Sequence, residues 1–170
     1  IQRVELVGAQ RTLYETIRAA AHAKIQAAIH QLGIRRCQLL ILEALLRLRQ
    51  VCCEPALIDM PQAQQVEASA KRELLWEMLP SMLDEGRRVL LFSSFASLLK
   101  RIRQQVEVRG IPHALLIGET VDRTSEIRRF QGGEAKLMLI SLKAGGVGLN
   151  LTAADTVIHY DPWWNPAAED

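Results

Sequence analysis

The residues best suited to chemistry lie in one run, Ser141-Leu142-Lys143-Ala144-Gly145-Gly146-Val147-Gly148. Three glycines in four positions let backbone approach a ligand closely, and Lys143 beside them adds a positive charge. That pairing suits a phosphate oxygen, of a nucleotide or of a nucleic-acid strand. A tight strand-to-helix turn would need the same glycines for steric reasons alone. The run is neither a G-x-x-x-x-G-K-[ST] phosphate loop nor the G-x-G-x-x-G dinucleotide fingerprint. No nucleophile elbow, Cys–His pair or carboxylate pair stands in an obvious setting. A bound ATP would find only one wall of its site here.

Three further clusters fall where predicted strands end: Ser93-Ser94-Phe95, Gly118-Glu119-Thr120 and Asp161-Pro162-Trp163-Trp164-Asn165. The last holds two of the three tryptophans. Adjacent rings just past a strand point in different directions, so burying both is hard. Trp164 is therefore either a core residue or a ring that stacks on a nucleobase or sugar. Cys37, Cys52 and Cys53 read as reduced thiols, because an adjacent pair is badly placed for a disulfide. The four histidines show no metal-ligand spacing with them, so no metal is expected.

These clusters need a scaffold, and the apolar pattern supplies one. The chain has 170 residues, 49% apolar and 24% charged, with a net charge of +2, which excludes intrinsic disorder. No apolar run approaches the roughly 20 residues needed to span a bilayer, and no export leader is present, so an intracellular domain with no membrane partner is expected. Residues 1–50 hold eight Lys/Arg against three Asp/Glu, a basic start that suits nucleic acid or a solvated helix face. Leu13, Ile17, Ala21, Ile25, Ile29 and Leu32 predict a helix stopped by Gly33. A second helix is predicted from about Arg36 to Cys52 with a stripe of Leu39, Leu42, Leu45 and Leu46. A third covers roughly Ala68 to Leu83, with Leu75, Met78, Leu79 and Met82 apolar and Pro80 placed to kink or shorten it.

After Gly86 the rhythm changes to short strands alternating with helices. Strands are predicted at Arg88–Phe92, His113–Ile117, Leu137–Ser141 and Thr156–Tyr160. The helix running through Val108 is given Ser94 as its cap, and the helix Asp122–Phe130 is given Thr120 or Asp122. Such alternation implies parallel pairing. The expected architecture is a helical preface over residues 1–84, then a three-layer α/β domain over residues 85–170. Ligands bind such sheets beyond the carboxyl ends of the strands, where the four clusters fall.

Together these residues resemble a known family. Ser141 to Asn165, SLKAGGVGLNLTAADTVIHYDPWWN, is similar to motif V and the segment after it in the Swi/Snf-type ATPases of helicase superfamily two. Leu45 to Pro55 resembles that family's L-R-Q-x-C-x-x-P signature, with Glu54 where the family more often has His. Val89 to Phe95 resembles motif IV. Gly118, Thr120, Arg123, Ile127, Phe130 and Gln131 reproduce a G-x-T-x-x-R…F-Q pattern.

The resemblance implies the second RecA-like lobe of a two-lobed motor, preceded by a helical protrusion. The first lobe would carry the phosphate-gripping lysine, the Mg2+ ion and most of the ATP site. For this chain it implies phosphate contacts on duplex DNA from Ser93, Ser94 and Lys143, and a DNA-side role for Trp164. It further implies nucleotide proximity for Gly146, Gly148 and Asn150. Arg49, Gly118 and Thr120 are structural in this reading, and Arg123 braces the motif IV helix. Motif VI and its arginine fingers should begin past Asp170, so the chain is expected to be a fragment with no ATP hydrolysis of its own. Two other readings remain: a stand-alone, non-catalytic α/β module binding nucleic acid or protein, and a strand-separating helicase of the same superfamily, which shares the lobe.

Overall fold

The computed structural model describes residues 1–145 and 148–162, in two compact units, Ile1–Trp76 and Glu77–Asp170. The division falls inside the helix Ala70–Asp84.

In the first unit, α1 (Gly8–Leu32) ends at Gly33, whose φ of 77° lets the chain leave the helix. A 3-10 turn, Ile34–Cys37, leads into α2 (Gln38–Cys53). Leu13 and Ile17 of α1 cluster with Val51 of α2, Ile58 and Ala63, and Leu48 packs against them. The expected leucine stripe of α2 is not the buried one. Leu39 is 82% exposed, and Leu42, Leu45 and Leu46 are also exposed, because the helix turns Leu48 and Val51 inward instead. A short helix, α3 (Pro61–Gln64), lies between α2 and the next long helix.

Two buried polar groups hold this unit together. Gln10 Nε2 donates to the Val51 carbonyl at 2.8 Å, and its Oε1 accepts from the Ala70 N–H at 3.0 Å. The second of these satisfies a free donor at the start of α4 (Ala70–Asp84). Glu54, 1% exposed, pairs with Arg72. Glu54 thus has an ion partner within its own unit. Pro80 lies within α4, and the helix continues past it.

The second unit is a four-stranded parallel sheet in the order β2-β3-β1-β4. The elements are β1 (Val89–Ser93), α5 (Ala96–Val108), β2 (His113–Leu116), α6 (Arg123–Gln131), β3 (Leu137–Ser141), α7 (Leu142–Gly145) and β4 (Thr156–His159). From β1 the chain crosses to the far edge through α5 and steps back through α6. Right-handed crossovers in opposite directions put the two helices on opposite faces, which makes three layers. Phe130 of α6 is fully buried with Leu90, Leu116, Met138 and Ile140. The alternate residues Val89, Leu91, Leu137 and Leu139 point the other way and are fully buried too, while α5 buries Leu98, Leu99, Ile102 and Val106. The expected RecA-like three-layer parallel sheet is therefore present. Among the described residues, no helix is long and apolar enough to cross a membrane.

Candidate nucleotide and nucleic-acid interface

The carboxyl ends of β1, β3 and β4 lie side by side, because Ser93 pairs in register with Ser141 and Phe92 with His159. What happens there is decided by Asp161, just past β4 and 2% exposed. Ser93 Oγ donates to Asp161 Oδ1 at 2.6 Å. Asp161 also accepts from the Ser94 N–H, at 3.2 and 3.3 Å to its two oxygens, and from the Ser94 hydroxyl. One carboxylate thus ties the end of β4 to the end of β1.

Both serines are engaged within the fold. Each hydroxyl has one proton, and both protons go to Asp161. Ser93 is fully buried, and its oxygen also accepts from the Phe95 N–H at 3.1 Å. In this arrangement both hydroxyls hold the strand end in place. Nor does Ser94 cap α5, whose N-cap position is Phe95 with no side-chain bond.

Lys143 sits on α7, one residue past the start of that helix, and is exposed. It makes no hydrogen bond or ion pair with any described residue. Its ammonium is therefore free to meet an anion without burying charge. Two residues on, Gly145 is tightly packed: a Cβ there would lie 3.1 Å from the Phe92 ring, which stacks on His159 with centroids 5.4 Å apart. Gly148 adopts φ of 49°, and nothing lies within 4 Å of where its Cβ would be. Asn150 is exposed, two residues on. Gly146 and Trp164 lie outside the described residues.

Arg123 does brace, but not the motif IV helix. Its Nη2 donates to the Ala144 carbonyl at 2.8 Å, at the entrance of the glycine run. Asp122 caps α6 by accepting from the Ser125 N–H at 2.9 Å. Thr120 Oγ accepts from the Ile117 N–H at 2.9 Å and donates to the Leu115 carbonyl at 3.1 Å. Glu126 accepts from the Leu115 N–H at 2.6 Å. Thr120 and Glu126 therefore occupy groups that a neighbouring strand would otherwise pair on the free edge of β2. Gly118 has open space at its Cβ position, so no steric demand fixes it. Arg49 lies half-buried on α2, in the other unit.

A groove runs along that β2 edge, lined by Lys100, Arg103, Glu119 and Arg129 among others. Its bases are paired with carboxylates: Lys100 with Glu119 at 2.6 Å, Arg103 with Glu107 at 2.8 Å and Arg129 with Glu126 at 3.0 Å. Lys143, not this groove, offers an uncommitted charge. Sequence reasoning placed Asp161 in a strand-end cluster and Gln131 in the G-x-T-x-x-R…F-Q pattern, but gave neither its partners.

The helicase conserved C-terminal domain family matches residues 70–170. The Bacillus subtilis protein YwqA is 38% identical over 143 residues, covering 81% of this chain and 15% of its own length. The chain is also similar to the Sulfolobus solfataricus SWI2/SNF2 ATPase C-terminal domain, with a TM-score of 0.78 and 35% identity, over 93% of this chain and 69% of that one. The core of the Sulfolobus solfataricus SWI2/SNF2 ATPase in complex with dsDNA gives a TM-score of 0.80 and 32% identity, over 95% of this chain and 34% of that one.

Proposed function

The chain belongs to the helicase conserved C-terminal domain family, as a Swi/Snf-type C-terminal lobe, and from that premise we propose that it is the DNA-gripping half of an ATP-driven translocase on duplex DNA. It works with a first RecA-like lobe of the same parent chain. ATP held between the lobes draws them together, and release moves this lobe along one strand, so that protein–DNA complexes in its path are remodelled. Such a motor must hold the backbone rather than read bases, because sequence-specific contacts would stall it. The chain acts inside the cell, where its DNA is.

The observation that carries this reading is Lys143, an exposed and unpartnered cation at the end of β3 beside a strand end locked by Asp161. Gly148, whose open backbone carries no Cβ, lets a phosphate or sugar come close, and Asn150 is exposed two residues on. Gly146 belongs to the same nucleotide side, and Trp164 to the DNA side. A nucleotide bound there would supply the energy of hydrolysis; this chain's residues would bind and orient one face of it. In this reading Mg2+ belongs with the first lobe, together with the rest of the ATP site.

The test is a titration of duplex DNA across a salt series. Lys143→Ala weakens binding similarly for all sequences and lowers the salt slope by about one ion. Trp164→Ala loses roughly 1–3 kcal/mol of binding with little change in slope. If Lys143→Ala binds as the parent does at every salt concentration, the DNA face lies elsewhere.

A further inference from the structure

The chain leaving the glycine run has no regular structure before β4, so its backbone groups need partners from outside. Gln131, the last residue of α6, supplies two. Its Nε2 donates to the Asn150 carbonyl at 2.7 Å, and its Oε1 accepts from the Ala153 N–H at 3.0 Å. A side-chain amide presenting one donor and one acceptor does here what a neighbouring peptide group would do in a sheet.

Gln131 is itself held. Arg88 Nη1 donates to the Gln131 carbonyl at 3.2 Å, and the Arg88 N–H donates to Asp155 Oδ2 at 3.1 Å. Gly133 makes room for that guanidinium: a Cβ there would lie 2.8 Å from Arg88 Nη2. Phe130, fully buried, anchors the end of the helix, and Leu149, Leu151, Ala153 and Ala154 pack against the same core. At the other end of α6, Arg123 holds the Ala144 carbonyl. A helix of nine residues is about 13 Å long and stiff, so its two ends fix both flanks of the glycine run at a set separation.

We propose that Gln131 is a positioning residue for nucleotide, tying the exit of the glycine run to α6 and so setting where Asn150 is presented. This deepens the proposed function and rests on the nucleotide-side role of Asn150. Two substitutions separate its two bonds. Gln131→Met keeps the length and removes both. Gln131→Glu keeps an oxygen for the Ala153 N–H but sets a second one against the Asn150 carbonyl, where two acceptors repel.

The experiment has two readouts. The first is amide hydrogen exchange on this chain. In Gln131→Met the Ala153 amide exchanges about tenfold faster, in line with the loss of one typical hydrogen bond, while the Leu139 and Ile140 amides of the core keep their rates. In Gln131→Glu the Ala153 amide stays protected. The second is ATP turnover by the full-length protein containing this chain, where both variants raise KM for ATP by more than they lower kcat. Unchanged exchange at Ala153 in Gln131→Met overturns the clamp, and so does equal acceleration of the core amides. Faster exchange at Ala153 with an unchanged KM overturns its link to nucleotide. A full-length protein that hydrolyses no ATP would instead refute the proposed function, and the exchange data would still decide whether the clamp exists.

Discussion

Removing the Asp161 carboxylate should cost more stability than any other single truncation at the strand ends. In Asp161→Ala three donors lose their acceptor: the Ser93 hydroxyl, the Ser94 N–H and the Ser94 hydroxyl. A buried donor left unsatisfied costs about 1–3 kcal/mol, and bonds to a charged acceptor lie at the upper end. Ser93 is fully buried and takes that cost in full. Ser94 is half-buried, so water recovers part of its two bonds. The sum is about 3 kcal/mol. With a urea slope of about 1.5 kcal/mol/M the unfolding midpoint falls by about 2 M. A double-mutant cycle with Ser93→Ala isolates the buried bond, and a coupling of about 1–2 kcal/mol is expected. Asp161→Asn keeps one acceptor oxygen and should lie between the two. An Asp161→Ala midpoint within 0.3 M of the parent, or zero coupling with Ser93, would refute the reasoning that this carboxylate joins β4 to β1.

Gly145→Ala places a methyl group 3.1 Å from the Phe92 ring and should destabilise the second unit by about 1–3 kcal/mol, measured by urea unfolding. Gly148→Ala meets no neighbouring atom and carries only the smaller cost of its positive φ. Burial pushes the Cys52 thiol above its ordinary range, against a weaker opposing pull from Lys71, so alkylation of native protein at neutral pH should be slower at Cys52 than in the unfolded chain. The Asp155 carboxyl is held below its ordinary range, first by the Thr156 hydroxyl and then by the Arg88 N–H. A depressed carboxylate favours the fold above its unfolded pKa, and that contribution disappears as pH falls through the folded value; Asp155→Asn should therefore flatten part of the acid limb of a stability profile. The 170-residue chain alone should hydrolyse no ATP with or without DNA, because neither a phosphate-gripping loop nor an arginine motif lies within it; a DNA-stimulated turnover assay checks this.

The sequence was most legible where burial on both faces leaves a strand no choice. Leu137–Ser141 is a strand to the residue, as its unbroken apolar run predicts, whereas α1 buries its expected stripe only at Leu13 and Ile17 and leaves Leu32 exposed. It was least legible in α2, where leucines stand on nearly every side. Periodicity then selects no face, and the stripe of Leu39, Leu42, Leu45 and Leu46 is exposed. At the site, position was readable and partnership was not. Ser93 and Ser94 stand at a strand end as expected, but their protons go to a residue 68 and 67 positions away. Gln131 reaches 19 and 22 residues along the chain to backbone groups that carry no sequence signal at all. Such side chain–backbone bonds depend on where the chain folds back, which residue types alone do not encode.

The most direct measurement is the rate of ATP hydrolysis by the full-length protein containing this chain, with and without duplex DNA, in the parent and in Lys143→Ala. A lobe that grips the backbone through Lys143 predicts turnover that rises at least tenfold on saturating duplex, with Lys143→Ala needing more DNA to reach half of that rise. Turnover indifferent to duplex DNA, or a DNA dependence that Lys143→Ala leaves unmoved, would contradict it.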